Sequence, residues 1–269
     1  MPSVPVPVPA PAPAQRGIQS IEVGGQLLTA LAHHGRPLAL KDLAQAAGMA
    51  PAKAHPYLVS FGKLGLIEQD PASGRYGLGP LAMQLGLISL QQLDPVALAT
   101  PLIETLAGEC GHTVAMVVWG NRGATVVRIA QSPSPVHVSM RHGTVMSLRG
   151  TASGRLFAAL LPPAVVQPVL RAEALAAGQS AQGKFDAALR AELQAVRAKG
   201  ISRAVNLLLP GISALAVPVW DSSGSLVLCL TAIGPTATFD SRAQGRLAKA
   251  LLRAAGALSA RLGYQRAVG

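Results

Sequence analysis

Three glycines cut the N-terminal part of the chain into helices too short to stand alone. Gly35, Gly48 and Gly65 each close a run whose apolar residues recur at helical spacing, where a helix commonly ends in a left-handed residue. They delimit a helix over 18–34 with Ile21, Leu28 and Leu31 on one face, then the short helix "KDLAQAAG". After the tight turn "MAP" comes a third helix from Pro51 to Leu64. "PLAL" at 37–40 reads as a short strand between the first two helices. "LIEQD-PASG-RYGL" follows as two short strands about a Pro/Gly-containing turn. Helix, short helix, three-residue turn, helix, hairpin is the order of a winged helix-turn-helix, which assigns residues 16–79 to one small domain.

Pro56 conflicts with this pattern. It falls inside the third helix, in "MAPAKAHPYLVSF", where it removes a backbone donor and presses its ring on the preceding turn. An interior proline costs about 3 kcal/mol against alanine. Either the helix begins at Pro51 and carries that cost, or residues 51–54 form a loose turn. In the second case His55 is the cap and Pro56 takes the first helical position, where its missing N–H is harmless. Both solutions expect the first turn to be displaced or kinked.

Beyond the hairpin, "GPLAMQLGLISLQQLD" (79–94) places Leu81, Leu85, Ile88 and Leu93 in helical register. It is expected to join two domains over 80–94; the alternative is an ordinary core helix of the second domain. After Pro95 a helix over 96–109 leads into "TVAMVVWGNRGATVVRIA", two β-rich runs joined by Gly-Asn-Arg-Gly, which reads as a hairpin. "PVHVSMR" is a third strand candidate. Helices over 151–161 and 184–199, strands "ISALAVPVW" and "SLVLCLTAI" about the turn "DSSG", and a last helix near 240–263 complete the chain. Strand pairs mixed with helices imply an α+β domain over 95–269, an antiparallel sheet with helices packed on it.

Composition bounds the function. With 269 residues, 50% hydrophobic and 13% charged, the chain can bury a sizeable core, and its length alone suits one large domain or two. Cys110 and Cys229 are too few and too far apart for a disulfide framework or a zinc site, which suits a reducing, cytoplasmic setting. The start, "MPSVPVPVPAPAPAQR", lacks the basic region of a secretory signal; residues 1–15 are expected to be a disordered polyproline tail. The longest uncharged run, between Arg203 and Asp221, contains Asn206, Pro210, Gly211, Ser213 and Pro218, which argues against a membrane span.

Catalytic patterns fail one by one. "GLGPLA" (77–82) follows a short hairpin strand and lacks the acidic residue a dinucleotide loop needs downstream. "GTASGR" has the wrong spacing for a nucleophile elbow. "CGH" (110–112) is explained by a loop with a buried thiol, and no cluster has metal-ligand spacing. Neither an enzyme nor a cofactor is expected. The net charge of +11 points to an anionic partner. Only +2 of it, six basic against four acidic side chains, falls between Arg16 and Leu78.

"LALKDLAQAAGMAPAKAHPYLVSFGKLGLIEQDPASGRYGLG", "LRGTASGRLFAALLP" and "GISALAVPVWDSSGSL" together resemble the IclR family of bacterial transcriptional regulators, from about Gly17 to the C-terminus. The resemblance implies a winged helix-turn-helix, a linker helix used in dimerisation and a GAF-like domain that binds a small organic or aromatic acid. It also implies a homodimer or homotetramer on double-stranded operator DNA. A recognition helix enters the major groove with its N-terminal residues, so Lys53, His55 and Tyr57 are expected at the DNA. Arg36 and Lys41 are expected near the duplex backbone, and Arg75 and Tyr76 on the wing. For the effector the resemblance suggests Leu148, Thr151, Ala152 and Gly154 around "TASG", Met116 and Val118 on a facing strand, and Cys229 and Thr231 on a late one. Amides at the start of the 151–161 helix suit a carboxylate, with Arg128, Arg141 and Arg149 as candidate anion partners.

Two departures matter. Pro56 stands where the family usually has arginine, and Ala204 and Leu207 stand where it usually has acidic residues. The alternative function is a diverged ligand-sensing or assembly module without sequence-specific DNA binding.

Overall fold

The computed structural model describes residues 17–132, 140–178 and 187–265. The proline-rich start and most of the strand candidate "PVHVSMR" lie outside the described residues. The chain divides into two compact units, one ending at Leu93 and one beginning at Asp94.

The first unit holds α1 (Gln19–His34), α2 (Leu40–Ala46), α3 (Pro51–Lys63), the antiparallel pair β1 (Ile67–Gln69) and β2 (Tyr76–Leu78), and α4 (Pro80–Gln92). Gly35, Gly48 and Gly65 all have positive φ, +61°, +66° and +76°, a geometry that glycine adopts without strain. Leu27, Leu31, Leu43, Leu58 and Ile67 are buried together with Leu38 and Tyr76, each large side chain contributing about 1.5–3 kcal/mol. Ile21 does not share this face and is 67% exposed, because the buried stripe of α1 starts only at Gly24. "PLAL" supplies one bridge rather than a strand: Leu38 exchanges backbone hydrogen bonds of 3.0 and 2.8 Å with Tyr76, and α2 already begins at Leu40. None of the residues of α4 is buried, so it is not a core helix.

In the second unit, α5 (Pro95–Cys110) precedes the hairpin β3 (Thr113–Gly120) and β4 (Gly123–Ala130). Then come α6 (Ala152–Leu160), α7 (Pro163–Ala176), α8 (Ala187–Lys199), β5 (Ser202–Val205), β6 (Ile212–Trp220), β7 (Leu226–Pro235) and α9 (Arg246–Arg261). The sheet order is β4-β3-β7-β6-β5, antiparallel throughout. Its pleat sends alternate residues to opposite faces. Ala115, Val117, Ala216, Cys229 and Ile233 meet α6, α7 and α8 in one core cluster, while α5 and α9 pack on the other face. α7 and β5 are not among the elements expected from sequence, and α9 starts six residues later than the expected helix. Ahead of it, Arg242 is held by Asp240, Nε to Oδ1 at 2.8 Å.

Candidate DNA-binding and effector sites

α3 forms one uninterrupted helix with Ala50 at its N-cap and Pro51 in its first position. His55 therefore does not cap it, and Pro56 lies inside, contrary to the second of the two local solutions. The missing N–H leaves the Ala52 carbonyl without its helical donor, at an exposed residue where water can take the bond. Ala54 and Leu58, at 0% and 2% exposure, seat the helix. Lys53, His55 and Pro56 are all exposed, with Pro56 one turn from Lys53 on the same side.

Tyr57 is placed differently. It is half-buried and packs beside Phe61 against α1, where a Cβ on Gly24 would come within 2.8 Å of its ring. Helical spacing from Lys53 brings Tyr57 one turn further on, but rotated towards the core. Tyr76 is also corrected: at 8% exposure it is a core residue, its backbone tied to Leu38. It faces the inner side of a two-stranded wing whose outer side holds Arg75.

Arg36, Lys41 and Arg75 are exposed. The wing turn that carries Arg75 is built by Asp70, whose carboxylate accepts the N–H groups of Ala72 (3.2 Å) and Ser73 (3.1 Å) and the Ser73 hydroxyl. The Ser73 hydroxyl, first among these donors, holds the Asp70 carboxyl below the usual carboxylate range. Asp70 N–H donates to the Arg75 carbonyl at 2.9 Å, which closes the turn.

A cavity of about 160 Å3 opens on the α6 face of the sheet. Of the residues expected from sequence, Thr151, Ala152 and Thr231 line it. Ser153 joins them, its hydroxyl 2.9 Å from that of Thr231. Leu148, Gly154 and Cys229 are buried behind the lining and do not reach the cavity. Burial pushes the Cys229 thiol up to about 12, so it is a neutral packing group. Met116 and Val118 point to the opposite face: Ala115 opposes Thr231 across the strands, whereas Met116 opposes Leu230. A one-residue step along a strand reverses the side.

Arg128, Arg141 and Arg149 are also absent from the lining. Arg128 and Arg141 are exposed, and Arg128 donates to the carbonyl of Val127 at 3.2 Å. The Arg149 carbonyl accepts from Arg155 Nε at 2.6 Å. Among the described residues, no charged side chain lines the cavity.

Sequence reasoning did not find Met140 and Met146, nor Leu208 and Leu209 on the β5–β6 loop, all of which face the cavity. The signal present was the pair of departures at 204 and 207: Ala204 and Leu207 both line the cavity as apolar side chains. Among the described residues, no group of three or more His, Cys, Asp or Glu could hold a metal ion, and no helix is long and apolar enough to cross a membrane.

The IclR helix-turn-helix domain profile matches residues 20–71, and the profile described as bacterial transcriptional regulator IclR C-terminal matches residues 88–260. The glycerol operon regulatory protein of Streptomyces coelicolor is 31% identical over 210 residues, 77% of this chain and 80% of that protein. The transcriptional repressor IclR of Escherichia coli is 26% identical over 220 residues, 81% of this chain and 80% of that one. The crystal structure of Pseudomonas aeruginosa HmgR is similar with a TM-score of 0.85 at 37% identity, covering 92% of this chain and 99% of that one. The first two of these relatives are by name a regulatory protein and a transcriptional repressor. With a helix-turn-helix followed by an effector-binding domain, matched over residues 20–71 and 88–260, the chain belongs to the IclR family of bacterial transcriptional regulators.

Proposed function

We propose that α3 reads operator DNA with Lys53 and His55, that Arg36, Lys41 and Arg75 bind flanking phosphates, and that a small organic or aromatic acid in the α6 cavity modulates this binding. One observation carries the DNA half: the first turns of α3 present a lysine and a histidine to solvent, while Ala54 and Leu58 on the inner side are locked in the core. Phosphate contacts set register and affinity, and base contacts carry sequence.

The effector half rests on size and chemistry. An apolar cavity of about 150 Å3 holds benzene, so 160 Å3 suits one substituted ring or a short branched acid. The Thr151 hydroxyl caps α6 by accepting the Gly154 N–H at 3.0 Å, and the first-turn amides of Ala152 and Ser153 beside it favour a carboxylate. The protein acts in the cytoplasm as a homodimer or homotetramer. Its α4 supports assembly, with Met83, Leu85, Leu87, Ile88 and Leu90 all exposed.

The test is a salt titration on the DNA upstream of its own gene. A regulator gives a log–log slope corresponding to several phosphate contacts, together with preference over random DNA. Pro56, exposed beside Lys53, is the observation that favours the second reading, a sensing module without sequence-specific DNA binding. That reading gives equal affinity for both DNAs at matched salt.

A further inference from the structure

The loop that forms one wall of the cavity, residues 146–151, is held at three places. At its start the Met146 N–H donates to the Ala124 carbonyl at 2.7 Å, pinning it to β4. At its end Thr151 caps α6, its hydroxyl donating to the Ser147 carbonyl at 2.8 Å. Between them stands Glu173 of α7. Its carboxylate accepts the Ser147 hydroxyl on one oxygen and the Leu148 N–H, at 2.9 Å, on the other.

The Ser147 hydroxyl is thereby used to capacity. It gives its one proton to Glu173 and accepts the N–H groups of Arg149 (3.2 Å) and Gly150 (2.9 Å) on its two lone pairs. Gly150 and Thr151, fixed by this relay, line the cavity. Gly150 also meets the opposite wall, for a Cβ there would lie 3.4 Å from Leu208. Glu173 itself does not line the cavity. Val166, Leu170 and Ala174, buried along α7, fix the helix that carries it.

We infer that Glu173 is a positioning residue for the effector cavity: from α7 it sets the geometry of the 146–151 wall, and through that wall the affinity for the ligand. The inference rests on the α6 cavity being the effector site. A carboxylate is the group this position requires, because only it accepts from both donors at once. Glutamine keeps one acceptor oxygen and presents a donor to the other, and alanine leaves the buried Leu148 N–H unpaired.

The test compares the full-length protein with Glu173→Gln and Glu173→Ala by calorimetric titration with benzoate, below the unfolding temperature of each. Benzoate affinity is expected to fall at least tenfold in Glu173→Ala and by less in Glu173→Gln, with DNA affinity in the absence of benzoate unchanged. A Glu173→Ala protein that binds benzoate as wild type does overturns the inference, even if its thermal stability drops. If wild type binds no benzoate, the acid-effector proposal fails on that probe, and amide exchange over 148–154 decides the role of Glu173. Faster exchange there in Glu173→Ala than in wild type, with the α5 amides unchanged, supports it; identical exchange overturns it.

Discussion

Pro56 is the residue at which a single atom decides most. Its ring nitrogen cannot donate to the Ala52 carbonyl, yet α3 continues through it from Pro51 to Lys63, because the affected carbonyl is on the wet side of the helix. The cost of about 3 kcal/mol is borne by a helix whose inner face is fully seated. At this exposed position Pro56→Arg restores the N–H and adds a guanidinium one turn from Lys53. It should tighten operator binding in gel shifts and raise the salt slope by about one unit, the value of one phosphate contact. Unchanged or weaker binding would mean that the proline is not a lesion in the reading surface. Lys53→Ala should act in the opposite sense, weakening binding to all sequences while lowering the slope by about one.

At the scale of elements, the close approach of α6 to the loop before it governs the cavity proposed for the effector. A Cβ on Gly154 would sit 2.0 Å from the Ser147 carbonyl oxygen, so no side chain fits there without moving backbone. Gly154→Ala should destabilise the second unit by about 1–3 kcal/mol, lowering the unfolding midpoint by about 2–4 °C per kcal/mol in calorimetry. An unchanged midpoint would show that the loop yields freely.

The same elements explain what the sequence could disclose. The helices and hairpin of the first unit are marked by glycine stops and a Pro/Gly turn, signals that act locally and are legible along the chain. α7 is obscured because Pro162, Pro163 and Pro168 look like breakers, although Pro163 takes the first helical position. β5 is too short, at four residues on the sheet edge, to show a period. The inward turn of Tyr57 and Tyr76 follows from which side of an element meets the core, and the turn of Met116 and Val118 away from the cavity follows from which face of the sheet each residue takes. Spacing names such sides without saying which of them is inner. Glu173 lay beyond any sequence signal, since its partners are 25 and 26 residues away.

At the scale of the molecule, the chain carries a positive balance of +11, most of it beyond the first unit, and a helix, α4, with no buried residue. The exposed leucines, isoleucine and methionine of this helix are the proposed assembly surface, with α4 of a second copy as the proposed occupant. Leu85→Glu combined with Ile88→Glu should shift the protein to a smaller species in sedimentation velocity and weaken operator binding, since a dimer reads two half-sites. An unaltered sedimentation coefficient would move the assembly surface elsewhere.

The most direct test of the central claim, that α3 reads a specific operator, is a competition at matched salt between the upstream DNA and a scrambled fragment of equal length. The wild-type protein should prefer its own DNA by roughly 10³ or more, and a Lys53→Ala, His55→Ala double variant should lose that preference while keeping its fold by circular dichroism. Equal affinity of the wild type for both fragments, or a preference the double variant retains, would contradict the claim.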